Sequence, residues 1–241
     1  VNLLLVEPGE VTDGTVVIAD RRAEHLRTVL GATIGSRVRA GIIGAGVGTA
    51  ELVADDGVRV TLRLAIVDPA PPPLPIELVL AVPRPKVLSR VIEAAAAFGV
   101  ARIALTNAWR VDKSYLKSPR LAPESLALST RLGAEQGATT HLPPITIHHR
   151  LMELLDTRWP APGSGTRLLA HPGGAPIESV PRAGPTTIAI GPEGGWIARE
   201  VETFVERGFV AVSLGTAVLR VETAVAAALG QLTLLDRLAA R

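Results

Sequence analysis

The 241-residue chain has no cysteine, which excludes disulfides, thiolate metal sites and a cysteine nucleophile, and suits a cytoplasmic protein. Aromatic residues make up only 3% of it, so the core has to be built mostly from Val, Leu, Ala and Ile. No apolar run approaches the ~18 residues needed to cross a bilayer, so no membrane partner is expected. The opening Val1-Asn2-Leu3-Leu4-Leu5-Val6 lacks a cationic region and meets Glu7 and Pro8 at once, so no secretory signal is expected. The histidines His25, His141, His148, His149 and His171 fall into no metal-ligand spacing, and no metal is expected. Neither G-x-S-x-G nor G-x-x-x-x-G-K-[ST] occurs, which removes support for a hydrolase elbow and for the usual nucleoside triphosphatase.

What is present is 47% hydrophobic and 20% charged, the composition of a compact globular protein of one large domain or two modest ones. The formal net charge is only +2. Residues 84–120 nevertheless carry Arg84, Lys86, Arg90, Arg102, Arg110, Lys113, Lys117 and Arg120 against only Glu93 and Asp112. Such a stretch suits phosphate contacts, and it equally suits a solvated face with snorkelling stems.

Residues 68–75, Asp-Pro-Ala-Pro-Pro-Pro-Leu-Pro, form a stiff linker that no helix or central strand is expected to contain. It separates residues 1–70 from residues 74–241. Before it, short apolar or alternating runs at 3–6, 16–18, 37–40, 49–53 and 58–66 lie between Gly/Asp turns and predict a small all-β barrel. One short helix over 23–30 is expected within it, stopped by Gly31. Gly41 to Gly48 look like a dinucleotide loop, but a G-x-G-x-x-G would need glycine at Thr49 or Glu51, so they read as a hairpin. After the linker, strands at 76–82, 102–106, 145–147, 167–170, 187–190 and 209–214 alternate with helices at 86–98, 123–135, 149–155, 198–207 and 222–238. That alternation predicts an α/β domain with a mostly parallel sheet.

Two motifs carry the chemistry. Ile190-Gly191-Pro192-Glu193-Gly194-Gly195 ends a buried strand, and glycines there allow close backbone approach to a ligand. Val218-Leu219-Arg220-Val221-Glu222-Thr223 places charged groups in apolar sequence just before the last helix. Separately they could be a plain turn and a helix cap. With Gly215, which ends Ser213-Leu214-Gly215 and follows the strand at 209–214, they make three loops at one sheet edge, and His171 past another strand end can join them.

These motifs closely resemble the C-terminal block of the RsmE-type ribosomal RNA uridine-N3 methyltransferases of the SPOUT class, and the likeness extends over most of the chain. His25-Leu26-Arg27-Thr28-Val29-Leu30 stands where the family has a His-x-x-x-Val-Leu-Arg-like element, and Gly99-Val100, Arg110 and Ala134-Glu135-Gln136 also match family positions. The chain departs at Ala94-Ala95-Ala96-Ala97-Phe98 and at Gly137-Ala138-Thr139-Thr140, which replace a Lys with a Glu-Leu pair and a Gly-Arg. The resemblance implies a trefoil-knotted methyltransferase domain behind a small PUA-like, RNA-binding β-barrel. It implies S-adenosyl-L-methionine as cofactor, small-subunit (16S) ribosomal RNA as substrate, and a cytoplasmic homodimer. Cofactor binding then falls to Leu169, His171, Ile190, Gly191, Pro192, Glu193, Gly194, Gly195, Leu214, Gly215, Val218, Leu219 and Thr223. Arg220 would stabilise charge, and Glu222 or Glu193 would handle the uridine proton. RNA contacts would come from His25, Arg27, Arg84, Lys86, Arg110, Lys113 and Lys117. Two alternatives stay open: a non-catalytic RNA-binding protein, and an enzyme of the same class acting elsewhere, such as a transfer RNA ribose 2′-hydroxyl.

Overall fold

A computed structural model describes residues 2–240 and divides into two units. The first is the chain up to Pro72 together with Arg131–Leu142; the second is Pro73–Thr130 with Pro143 onward. The return of residues 131–142 to the first unit has no signal in the proline-rich linker.

The first unit is built from β1 (Leu4–Val6), β2 (Val11–Thr12), β3 (Thr15–Ile18), α1 (Arg21–Thr28), β4 (Arg37–Ile42), β5 (Val47–Asp55) and β6 (Val60–Asp68). They form one sheet in the order β1-β4-β5-β6-β3-β2, antiparallel except for the β1–β4 pair. Alternate residues such as Val16 and Ile18 on β3, Leu52 on β5 and Val60 and Leu62 on β6 face one core, into which α1 sends Ala23 and Leu26. The glycine-rich run forms the β4–β5 hairpin. Helix α1 starts two residues earlier than its apolar pattern suggests, because the Asp20 side chain caps it by accepting the Arg22 N–H at 2.8 Å. Arg22 is nearly buried and satisfied. Its guanidinium donates to Glu10 at 2.5 Å, to Asp20 at 2.7 Å and to the Leu5 carbonyl at 2.9 Å. Those contacts hold the Glu10 and Asp20 carboxyls below the usual carboxylate range.

The second unit contains β7 (Leu74–Ala81), α2 (Pro85–Phe98), β8 (Val100–Thr106), the first part of α3 (Pro123–Gly137), β9 (Ile145–His148), α4 (Leu151–Arg158), β10 (Thr166–Pro176), β11 (Thr186–Ile190), α5 (Ala198–Glu206), β12 (Val210–Ser213) and α6 (Val221–Ala239). Its sheet runs β12-β10-β11-β7-β8-β9 with every neighbouring pair parallel. Parallel sheets are covered on both faces, and β11 is accordingly buried along its whole length. Pro75 lies inside β7, a central strand, contrary to the sequence expectation. The ladder with β8 loses register between Leu74 and Glu77, so the missing N–H falls at an irregularity. Helix α2 ends where Gly99 takes the left-handed conformation at φ 74°.

Candidate active site

Because all six strands of the second sheet run the same way, the chain leaves β7, β8, β10, β11 and β12 at one edge. There, the segments following β10, β11 and β12 and the start of α6 enclose a cavity of about 350 Å³. Ligands of open α/β sheets bind in that crevice.

Strand β10 delivers the first wall. Its pairing with β12 jumps from Ala170 to Ala175, both opposite Val212, so residues 171–174 bulge out of the ladder. His171 and Pro172 on this bulge line the cavity. The Gly173 N–H donates to Nδ1 of His171 at 3.1 Å. A neutral ring accepting there carries its proton on Nε2.

The loop after β11 is the second wall. The Gly195 N–H bonds the Pro192 carbonyl at 2.8 Å, and Gly195 sits at φ 69°, a turn that favours glycine. Trp196 is buried beneath it, and a Cβ on Gly191 would stand 3.1 Å from the indole Nε1. That Nε1–H lines a buried position and has no protein partner. The Trp196 ring is held edge-on by Phe204 of α5 at 5.0 Å. Two further contacts latch this loop. Glu193 Oε1 accepts the Arg84 N–H at 2.9 Å, and Arg110 Nη1 donates to the Gly194 carbonyl at 2.5 Å.

The third wall is Ser213, Leu214, Gly215, Ala217, Val218 and Leu219, followed by Val221 and Ala224 on α6. The Gln231 side chain supports it from within α6 by donating to the Leu214 carbonyl at 2.9 Å.

The structure therefore brings together His171, Ile190, Gly191, Pro192, Glu193, Gly194, Gly195, Leu214, Gly215, Val218 and Leu219 around one cavity. Leu169 and Thr223 lie outside it. Leu169 is fully buried inside the sheet, and Thr223 projects from the first turn of α6 into solvent. Arg220 and Glu222 flank Val221 in the chain and do not line the cavity; Arg220 is exposed at the helix N-cap and Glu222 is half-buried. Glu193 has one oxygen engaged by the Arg84 backbone, a latching position rather than a free one. Arg110, expected only as an RNA contact, is part of the cavity wall.

Sequence reasoning missed Trp196, Pro172, Ala217 and Ala224. Trp196 follows the glycine motif directly, and that adjacency was the available signal. Among the remaining expected RNA contacts, Arg84, Lys86, Lys113 and Lys117 are exposed on the second unit. In the first unit, His25 borders a separate cavity of about 170 Å³ with Arg21 and Arg39, while Arg27 pairs with Asp55 at 2.6 Å. Among the described residues no helix is long and apolar enough to cross a membrane.

The chain matches the RNA methyltransferase domain family over residues 70–233. It is 31% identical to a Ribosomal RNA small subunit methyltransferase E of Treponema pallidum, over 94% of this chain and 88% of that one. A protein of Borreliella burgdorferi, Ribosomal RNA small subunit methyltransferase E 1, is 27% identical over 94% of this chain and 95% of its own length. The fold is similar to a crystal structure of a Ribosomal RNA small subunit methyltransferase E from Neisseria gonorrhoeae bound to S-adenosyl methionine. The TM-score is 0.80, with 24% identity and 97% of each chain covered.

Proposed function

Since the chain belongs to the family of ribosomal RNA small subunit methyltransferase E and carries its RNA methyltransferase domain, we propose that it methylates N3 of a uridine in small-subunit (16S) ribosomal RNA, using S-adenosyl-L-methionine. The observation that carries this reading is the cavity formed by the loops after β10, β11 and β12. Its volume of about 350 Å³ lies within the range of small-molecule sites. Its polar groups suit the donor: an unpaired Trp196 N–H, the backbone of a glycine turn and an imidazole that can donate from Nε2. When bound, S-adenosyl-L-methionine supplies a methyl group on a sulfonium, a good leaving group.

The chain's own residues then have three tasks. The glycine turn and the 213–219 segment hold and orient the donor, which accounts for much of the acceleration. Glu222, next to Val221 in the chain, takes or relays the weakly acidic N3 proton of the uridine. Arg220, on the other side of Val221, stabilises the negative charge that this leaves on the uracil oxygens. Glu193 keeps the β11 loop closed through the Arg84 N–H. The exposed cations Arg84, Lys86, Lys113 and Lys117 contact the RNA backbone, and the first unit, through His25 and its neighbours, adds to that grip. The enzyme acts in the cytoplasm as a homodimer.

Labelled methyl transfer to small ribosomal subunits from a strain lacking this protein, with the modified base mapped, tests the reading. A methyl group on uridine N3 is expected. Absence of cofactor binding by calorimetry would instead favour a non-catalytic RNA-binding protein, and a ribose 2′-O-methyl would place the chain with enzymes acting on other sites.

A further inference from the structure

Among the described residues, the one aromatic side chain left exposed is Trp109, with 79% of its surface open to water. Trp159, Trp196, Phe204 and Phe209 are all buried. In a chain this poor in rings, an indole left in solvent stands apart, because Trp normally finds a place that shelters its apolar body.

The backbone beneath it is fixed. The Asn107 N–H donates to the His148 carbonyl at 3.1 Å, and its Oδ1 accepts the Ala108 N–H at 2.9 Å. The Trp109 N–H donates to Oε1 of Glu200 at 2.8 Å. That carboxylate is only 5% exposed, and its other oxygen accepts the Ile197 N–H at 3.0 Å. Ala108 and Val111 are buried on either side. The next residue, Arg110, lies in the cavity wall against the Gly194 carbonyl. A buried carboxylate thus ties the mount of an exposed indole to the loop region that shapes the proposed donor pocket.

Charge selects the partner. The segment that follows presents Lys113, Lys117 and Arg120 to solvent, and Asp112, its single acid, accepts the Ser114 N–H at 2.8 Å. Protein–protein interfaces are depleted of lysine, whereas sites for unstacked RNA combine cations with an aromatic face on which a base can lie.

We propose that Trp109 is the stacking platform for an unstacked RNA base beside the uridine presented for methylation. This rests on the RNA methyltransferase reading above. Trp109 is a positioning residue: its ring holds the neighbouring base while the pocket receives the target.

The test is steady-state methylation of small ribosomal subunits that lack the modification, at saturating S-adenosyl-L-methionine. Trp109→Ala should raise KM for the subunits about tenfold with a smaller change in kcat. Trp109→Phe should recover most of that loss, because a ring that stacks replaces a ring that stacks. Cofactor affinity by calorimetry and particle mass by light scattering should be unchanged in both variants. An unaltered KM in Trp109→Ala overturns the proposal and leaves the enzymatic reading intact. A drop in particle mass in Trp109→Ala also overturns it, by making Trp109 a contact with a second copy of the chain. Wild-type protein that neither binds the cofactor nor methylates subunits overturns both.

Discussion

Both units have apolar cores and guanidinium–carboxylate pairs, Arg158–Glu77 at 2.9 Å and Arg182–Asp236 at 2.6 Å among those of the second, but the second alone adds packed rings. The first contains no aromatic side chain; every Trp, Tyr and Phe of the protein lies in the second. In the first, guanidinium–carboxylate contacts stitch helix to sheet: Arg22 to Glu10 and Asp20, Arg21 to Glu135 at 2.7 Å, Arg27 to Asp55. In the second, rings meet edge to face, with Trp196–Phe204, Phe204–Phe209 and Trp159–Phe209 centroids 5.0, 4.9 and 5.4 Å apart. Ring packing is insensitive to pH and salt and fixes geometry closely, which suits the unit that must keep a cavity open. Charge contacts serve where the requirement is only to hold a helix on a sheet.

Removing a ring should have the largest effect. Phe204→Ala takes away a fully buried side chain and should cost roughly 3–5 kcal/mol of stability. It also frees Trp196, so calorimetry should show weaker S-adenosyl-L-methionine binding even where the protein is folded. Undiminished affinity would mean that the ring cluster does not set the pocket. Arg22→Ala should be the strongest lesion of the first unit, about 2 kcal/mol, since it takes the guanidinium away from two carboxylates and the Leu5 carbonyl. Circular dichroism should register it in denaturation while tryptophan emission lags, because all the reporters sit in the other unit.

Acid should separate the two units more gently. Asp20 and Glu10 have folded values below their unfolded ones, near 3.9 and 4.3. Their contribution is complete above about pH 5 and is lost as pH falls through the folded values. Asp55, held down to about 2 by its hydrogen bonds from Arg27 and the Gly57 N–H, keeps its charge far into acid. Glu77 on β7 responds oppositely. Burial raises its carboxyl despite Arg158 at 2.9 Å, so protonation on acidification relieves a cost in the second unit. Titration from pH 6 to pH 3 should therefore change circular dichroism before tryptophan emission; the reverse order would contradict the contrast. The smallest effect belongs to the surface. Lys113→Glu with Lys117→Glu should weaken RNA binding several-fold and flatten its salt dependence, with cofactor affinity unchanged.

Much of this was legible in the sequence. The strand–helix alternation after Pro73 gave the second sheet's elements, and the glycine motif located its ligand edge, since both rest on local patterns that a short segment can express. His171 stands past the strand end that the sequence places at Ala170, but the return of β10 to its ladder at Ala175 was hidden, since a four-residue bulge interrupts the pattern. Leu169 looked like a rim residue because it lies near a strand end, yet it points into the sheet's packed interior. The role of Glu200 was also out of reach. Its partner Trp109 lies 91 residues away, and no local pattern announces a carboxylate that reaches across to a backbone N–H.

The order in which the cavity is written along the chain has a consequence for biosynthesis. Apart from Arg110, all its lining residues fall between Ala170 and Ala224. A growing polypeptide therefore emerges with its first-unit strands and with β7, β8 and β9 already made, while it still lacks this cavity. Only when β12 has docked beside β10 and α6 has begun do the three loops face one another. The cavity therefore arrives as one late event, and chains cut short by translational failure lack it.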